Sequence, residues 1–255
     1  MLRPQVFPIL EYDEDPHALI NPSDHFSAGV LPERAVLCFF PDVMHMLQEE
    51  DELTEITRLQ GEYGQAPIYR IQRHNQEIAL LNPLVGAPLA AGNLEEAIAL
   101  GARKILACGG GGRIRKELTA GHLLLPTEAV RDEGMSYHYL PPSRTVVLNP
   151  RCVEAVAEFL KEAGVSFLKG KTWTTDAFYR ETPGRIAHRR EEGCLLVEME
   201  CAALAAVAQF RGVDFAQILY GGDDVSGETW SKGRWKRYGI RRQVLELTLD
   251  AVLAL

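Results

Sequence analysis

The sequence predicts a single α/β domain, built on a twisted mixed sheet with helices on both sides. Three observations carry this. Short apolar runs at 35–40, 104–108 and 195–197 have the length of buried strands and are bounded by turn residues or charges. Between them lie segments with helix ends written into the sequence. At 93–101, Asn93 suits an N-cap, Glu95 and Glu96 suit the first turn, and Gly101 suits the residue after the last turn. The order strand, helix, strand at these lengths is a parallel crossover unit, while residues 68–71 and 77–81 pair as strands around a turn at His74-Asn75.

The elements follow in order. Residues 1–30 are rich in Pro, Asp and His without periodicity, which predicts an irregular N-terminal arm, with the domain proper over 31–255. The strand at 35–40 ends at Pro41-Asp42, and residues 43–58 are expected to be helical. The strand at 104–108 runs into Gly109-Gly110-Gly111-Gly112. A strand at 123–126 precedes a polar, aromatic loop over 131–139. Asn149-Pro150 opens a helix with Val153, Val156, Ala157 and Leu160 on one face, closed by Gly164. Residues 173–179 follow a further strand. The run at 195–197 leads into an alanine-rich helix that ends near Gly212. Residues 215–220 form the last strand, residues 221–224 cap its end, and 236–255 make an amphipathic C-terminal helix. No repeat, linker or low-complexity segment divides the chain.

A net charge of −8 argues against a general nucleic-acid binder, which needs basic surface to displace counterions. The five cysteines are odd in number and include no Cys-x-x-Cys, as expected of reduced thiols in a cytoplasmic protein. The N-terminus lacks the apolar core of a signal peptide, and no run is long enough to span a membrane. No spacing of His, Cys and carboxylates suggests a metal site.

The stretch with most chemistry is Glu198-Met199-Glu200, two carboxylates where a buried strand meets a helix. Charge there is costly unless it has a partner or a task, and ligands of open α/β sheets bind at strand ends. Alone, the motif is equally an acidic helix N-terminus. The tetraglycine fails the dinucleotide fingerprint, because Ile114 or Arg115 stands where a third glycine is needed. Gly170-Lys171-Thr172 fails as a phosphate loop because of Val165. What remains for the glycines is a nest of backbone N–H groups at a strand end, or a tight turn. Gly222-Asp223-Asp224 is turn chemistry by composition.

Taken in order, four segments resemble the nucleoside phosphorylase family, which includes uridine and purine phosphorylases and some nucleosidases. They are Gly86-Ala87-Pro88 through Gly112, residues 130–139, Thr174-Thr175-Asp176-Ala177-Phe178-Tyr179, and Glu198-Met199-Glu200. The resemblance implies that Glu200 holds the ribose, one carboxylate accepting from two hydroxyls. Met199 would floor the sugar, Glu198 would lie nearer the base, and Phe178 would stack on it. Asp223 matches the aspartate that protonates a departing purine, the general acid such cleavage requires. Gly109, Gly110 and Gly111, with Arg113 or Arg115 nearby, would take phosphate as co-substrate. No cofactor is implied, and the family forms dimers or hexamers built as trimers of dimers. The chain departs from the pattern where the family binds phosphate. Pro41-Asp42 replaces the first Gly-Asp-Pro loop, Ala107 replaces an arginine and Gly110 a Ser or Thr. Arg180-Glu181-Thr182 replaces the uridine enzymes' Gln and Arg. His25 lies where the family often has a ribose-contacting histidine, but an exposed His fits its spacing better. Two further readings follow: a nucleosidase in which Asp42 helps activate water, and a nucleoside-binding protein without catalysis.

Overall fold

The computed structural model describes residues 2–232 and 237–255. Its elements are β1 (Arg34–Cys38), α1 (Pro41–Glu49), β2 (Thr54–Gly61), β3 (Gly64–Arg73), β4 (Gln76–Leu81), α2 (Ala87–Leu100), β5 (Lys104–Arg113), β6 (Leu123–Asp132), β7 (Thr145–Val147), α3 (Pro150–Glu162), β8 (Phe167–Thr175), α4 (Pro183–Glu191), β9 (Cys194–Glu198), α5 (Cys201–Arg211), β10 (Asp214–Asp224) and α6 (Arg237–Ala251). These ten strands form one mixed sheet, as the sequence predicts. β1 lies between β4 and β5 and runs parallel to both, while β4, β3 and β2 form an antiparallel extension. His74 and Asn75, with φ of 47° and 62°, make the tight turn between β3 and β4.

The sheet also closes on itself. β5 pairs with β10, β10 with β6, β6 with β8, β8 with β9, and β9 returns to β5. The glycines make this closure possible. The first half of β5 lies between β1 and β10; beyond Cys108 the strand leaves β1, and Gly112 and Arg113 pair with Val197 and Leu196 of β9. A Cβ on Gly111 would stand 2.8 Å from the Val197 carbonyl oxygen, and one on Gly110 2.9 Å from the Tyr220 ring. Only glycine allows so close an approach at a sheet corner. The nest reading is therefore corrected. The glycines continue a strand, and successive N–H groups of a strand point to opposite sides and cannot converge on one anion.

Three local readings also change. The helix expected over 43–58 ends at Glu49, because Asp51 takes a φ of 57° and Thr54, Ile56 and Thr57 then favour a strand. α2 begins at Ala87, six residues before Asn93. Asn93 is buried inside the helix, where its Nδ2 donates to the Pro83 carbonyl and its Oδ1 accepts from the Tyr63 hydroxyl. α4 had no sequence counterpart: it is short, strongly basic and buries only Ile186.

β7 also has no sequence counterpart, and β6 runs past the expected 123–126 to Asp132, into the segment expected as a loop; the remaining elements lie close to where their patterns place them. α3 starts with Asn149 Oδ1 accepting from the Arg151 N–H, and α5 ends at Gly212 in the left-handed region. α5 is buried from Cys201 through Ala208, which is why it is apolar all round rather than amphipathic. It packs on α2, and this pair carries the site-bearing ends of both helices. Residues 2–30 contain two short 3-10 turns and no strand. The cysteines are all buried and unpaired. No described helix is long and apolar enough to cross a membrane.

Candidate active site

A cavity of about 940 Å³ opens where the C-terminal ends of β5, β9 and β10 meet. Gly109, Gly110, Gly111 and Gly112 line it, with Glu198, Met199 and Glu200 after β9, Asp223 at the end of β10, and Phe178 from the segment after β8. The strand corner thus brings together the glycines, the two glutamates, Met199, Phe178 and Asp223. Arg113, Arg115, Asp42 and His25 do not line it.

The two glutamates have different tasks. Glu198 is 6% exposed, and its Oε2 accepts from the backbone N–H groups of Glu200 (2.7 Å) and Cys201 (2.6 Å). Its Oε1 accepts from the Thr174 hydroxyl at 2.6 Å and the Thr172 hydroxyl at 3.4 Å. Thr174 Oγ1 in turn accepts from the Ala202 N–H at 2.9 Å. Glu198 and Thr174 thereby satisfy the first N–H groups of α5, which have no partner inside the helix. Glu198, expected from the sequence nearer the base, lines the cavity and also caps α5. Burial pushes the Glu198 carboxyl up, and these donors hold it back.

Glu200 is 7% exposed and lines the cavity with Met199 beside it. Its Oε1 accepts from the Gly86 N–H at 2.6 Å. Gly86 has a φ of 99°, which only glycine adopts readily, and it aims that N–H at Glu200 as the chain enters α2. Burial, and then the neighbouring Glu198 charge, pushes the Glu200 carboxyl up to about 8. A carboxylate held this far from water gains most from a ligand that brings its own donors.

Phe178 and Tyr179, also on the cavity lining, are both exposed, with ring centroids 4.1 Å apart. They offer the cavity an apolar face. Asp223 Oδ2 accepts from Trp230 Nε1 at 2.6 Å. Glu181, which sequence reading counted only as a departure, lines the same cavity. Burial, and then the Asp223 charge, pushes its carboxyl up to about 7. Asp224 has the turn role its composition suggests, since its Oδ1 accepts from the Ser226 N–H at 2.8 Å. The 131–139 loop is organised inward: Arg131 donates to Ser136, Ser143 and the carbonyls of Leu140 and Pro141, and it does not reach the cavity.

The basic side chains are not where the sequence suggested. Arg113 pairs with Asp224 at 3.1 Å and donates to the Leu118 carbonyl at 2.6 Å. It braces the β5–β10 corner and has no route to a ligand. Arg113→Ala is therefore expected to cost about 1–3 kcal/mol of stability, as for a largely buried hydrogen-bonded charge, and to leave substrate saturation curves unchanged. Thermal melting alongside steady-state kinetics checks both. The basic residue that does line the cavity, the only one among the described residues, is Arg241 of α6. Its Nη1 donates to Asp42 Oδ2 at 2.9 Å and its Nε to the Tyr220 hydroxyl at 3.2 Å. Gln217, 1% exposed, lines the same end. Neither had a sequence signal, because a lone Arg in an amphipathic helix and a Gln in a strand look like ordinary surface and edge residues. No cluster of metal-binding side chains occurs among the described residues.

A sequence profile described as the Phosphorylase superfamily matches residues 33–237. The chain belongs to this family. Among its relatives is a guanosine phosphorylase of Halorubrum lacusprofundi, 23% identical over 236 residues, covering 83% of this chain and 98% of the relative. Its fold is that of a uridine phosphorylase from Vibrio fischeri (TM-score 0.73, 21% identity, 88% of this chain and 93% of the other). It is equally similar to an AMP nucleosidase from Bacteroides thetaiotaomicron (TM-score 0.71, 20% identity, 88% of each chain). In this phosphorylase-superfamily chain the profile takes in every cavity residue named above except Arg241.

Proposed function

We propose that the protein cleaves the N-glycosidic bond of purine nucleosides with phosphate, giving the free base and ribose 1-phosphate. The observation that carries this is one cavity lined both by a buried, hydrogen-bond-accepting Glu200 and by the neighbouring carboxyls of Asp223 and Glu181. Glu200 and Met199 suit the sugar, and Phe178 and Tyr179 suit the face of a base. As the C1′–N bond breaks, its electron pair moves onto the base, a phosphate oxygen bonds to C1′, and a purine ring nitrogen takes a proton from the carboxyl pair. Purine is favoured over uracil by charge. Guanine presents N1–H and a 2-amino group side by side, which carboxylates accept, whereas uracil presents one N–H flanked by two carbonyl oxygens, which they repel. The 98% coverage of a guanosine phosphorylase supports the same choice. Hydrolysis is the second reading. The residue expected to help activate water, Asp42, is engaged by Arg241 and stands outside the cavity lining.

Product analysis on a nucleoside panel, with and without phosphate, tests this. Ribose 1-phosphate formed only with phosphate supports it; free ribose in either case rejects it. Asp223→Asn is expected to lower kcat/KM for guanosine and inosine about 10²- to 10⁴-fold, the range for a lost general acid. Any uridine turnover should fall much less. Equal losses on both classes would mean that Asp223 only anchors Trp230.

A further inference from the structure

We propose that Arg241, brought in by the C-terminal helix and flanked by Tyr220, is the residue that holds the attacking phosphate. The inference rests on the phosphorolysis reading above. Five carboxylates line the cavity, at Glu181, Glu198, Glu200, Asp223 and Glu228, against the single guanidinium of Arg241 among the described residues. Among the described residues of that wall, Arg241 is the one fixed positive partner a phosphate dianion can find. Arg241 meets the glycine strand there: it donates to the Tyr220 hydroxyl, and Tyr220 pairs with Gly110 across β10 and β5, all three lining the cavity.

Arg241 is built to present one edge. Asp42 grips Nη1 at 2.9 Å, Tyr220 accepts from Nε at 3.2 Å, and the guanidinium carbon lies 5.5 Å from the centre of the Phe40 ring. The hydrogen bonds of Arg241 to described residues run through Nε and Nη1, leaving Nη2 without a partner among them. The head group is thus oriented on two sides and retains donors on the third, the geometry in which arginine binds an oxyanion with directed, charge-assisted bonds. Gly110 supports the assignment. It is the exposed member of the glycine stretch, and a Cβ there would come within 3.0 Å of the Tyr220 hydroxyl. The absent side chain leaves room for the Tyr220–Arg241 pair beside the strand. Asp42 is a positioning residue: it neutralises and orients Arg241 in the empty enzyme without facing the cavity.

The test is steady-state phosphorolysis with varied inorganic phosphate on the wild type, Arg241→Gln and Arg241→Lys, with nucleoside binding measured by calorimetry. Arg241→Gln is expected to raise the phosphate KM about 10- to 100-fold, as for a lost charged hydrogen bond. Nucleoside Kd should stay within about twofold, because Glu200 and Phe178 are untouched. Arg241→Lys, which keeps the charge but not the fork, should fall between and serves as the readout if the Gln variant does not fold. An unchanged phosphate KM in a folded Arg241 variant that still makes ribose 1-phosphate overturns the assignment while phosphorolysis stands. Free ribose from the wild type, independent of phosphate, overturns both.

Discussion

Glu200→Gln is expected to lower nucleoside turnover about a hundredfold or more and, at alkaline pH, to make the folded protein more stable. The amide keeps the shape and can still accept from the Gly86 N–H. It cannot be the anion that accepts from two sugar hydroxyls, and a lost positioning group of this kind costs about a hundredfold or more in kcat/KM. The stability change has the opposite sign. The Glu200 carboxyl is pushed up to about 8 in the folded protein from 4.5. Between those values the folded chain holds a proton that the unfolded chain has released, so this group's contribution to stability falls as pH rises through the window and is lowest above 8. Gln carries no such penalty. At pH 5 the variant and wild type should melt together. At pH 8.5 the variant should be more stable by about 1 kcal/mol or more, a rise of about 2–4 °C per kcal/mol for a chain of this size. Melting curves at both pH values and one kinetic assay suffice. Near-normal kcat/KM in the variant would reduce Glu200 to a helix-end residue.

Glu198→Ala, one position before Met199 in the same motif, is expected to act almost wholly on folding. It orphans the N–H groups of Glu200 and Cys201 and removes the acceptor of the Thr174 hydroxyl, all in the interior. At about 1–3 kcal/mol for each stranded backbone donor, the loss is about 2–6 kcal/mol. That corresponds to a melting decrease of about 5–20 °C. Glu198→Gln can keep its one oxygen toward both N–H groups, losing only the acceptor of the Thr174 hydroxyl, and should recover most of it. Denaturant titration of the two variants decides the matter. A Glu198→Ala protein with wild-type stability and lost activity would return Glu198 to the substrate.

The contrast between these glutamates marks what the sequence could and could not express. The motif's place at a strand–helix junction was legible, because an apolar run followed by a glycine-terminated alanine helix leaves few alternatives. Both glutamates line the cavity; that Glu198 is the one held by Thr174 at the helix start and Glu200 the one held by Gly86 depends on residues remote in sequence. The sheet and most of its strands were legible from apolar runs. Ring closure was not, because the pairing of Gly112 with Val197 leaves no local pattern. The tetraglycine was conspicuous and still misread, since glycine marks turns and tight corners alike. Arg113 drew attention by adjacency to it, and the structure turns it toward Asp224. Arg241 lies 128 positions later on a helix with no local mark of function, and only folding brings it to the same end of the cavity.

The shared position of β5 has a consequence for how the chain acquires its structure. Its first half needs β1 on one side and β10 on the other, and its second half needs β9. The partners of this one strand span Arg34 to Asp224, so its hydrogen bonds cannot be completed while most of the chain is still being made. Contacts this distant in sequence slow folding, because loop-closure entropy is spent before the pairing repays it. A nascent chain stopped before β10 would hold β5 with one long edge bare, the kind of edge that recruits other strands. The glycine segment that walls the cavity is thus among the last parts to become ordered, and catalytic competence arrives only with the last strand and the helix that follows it.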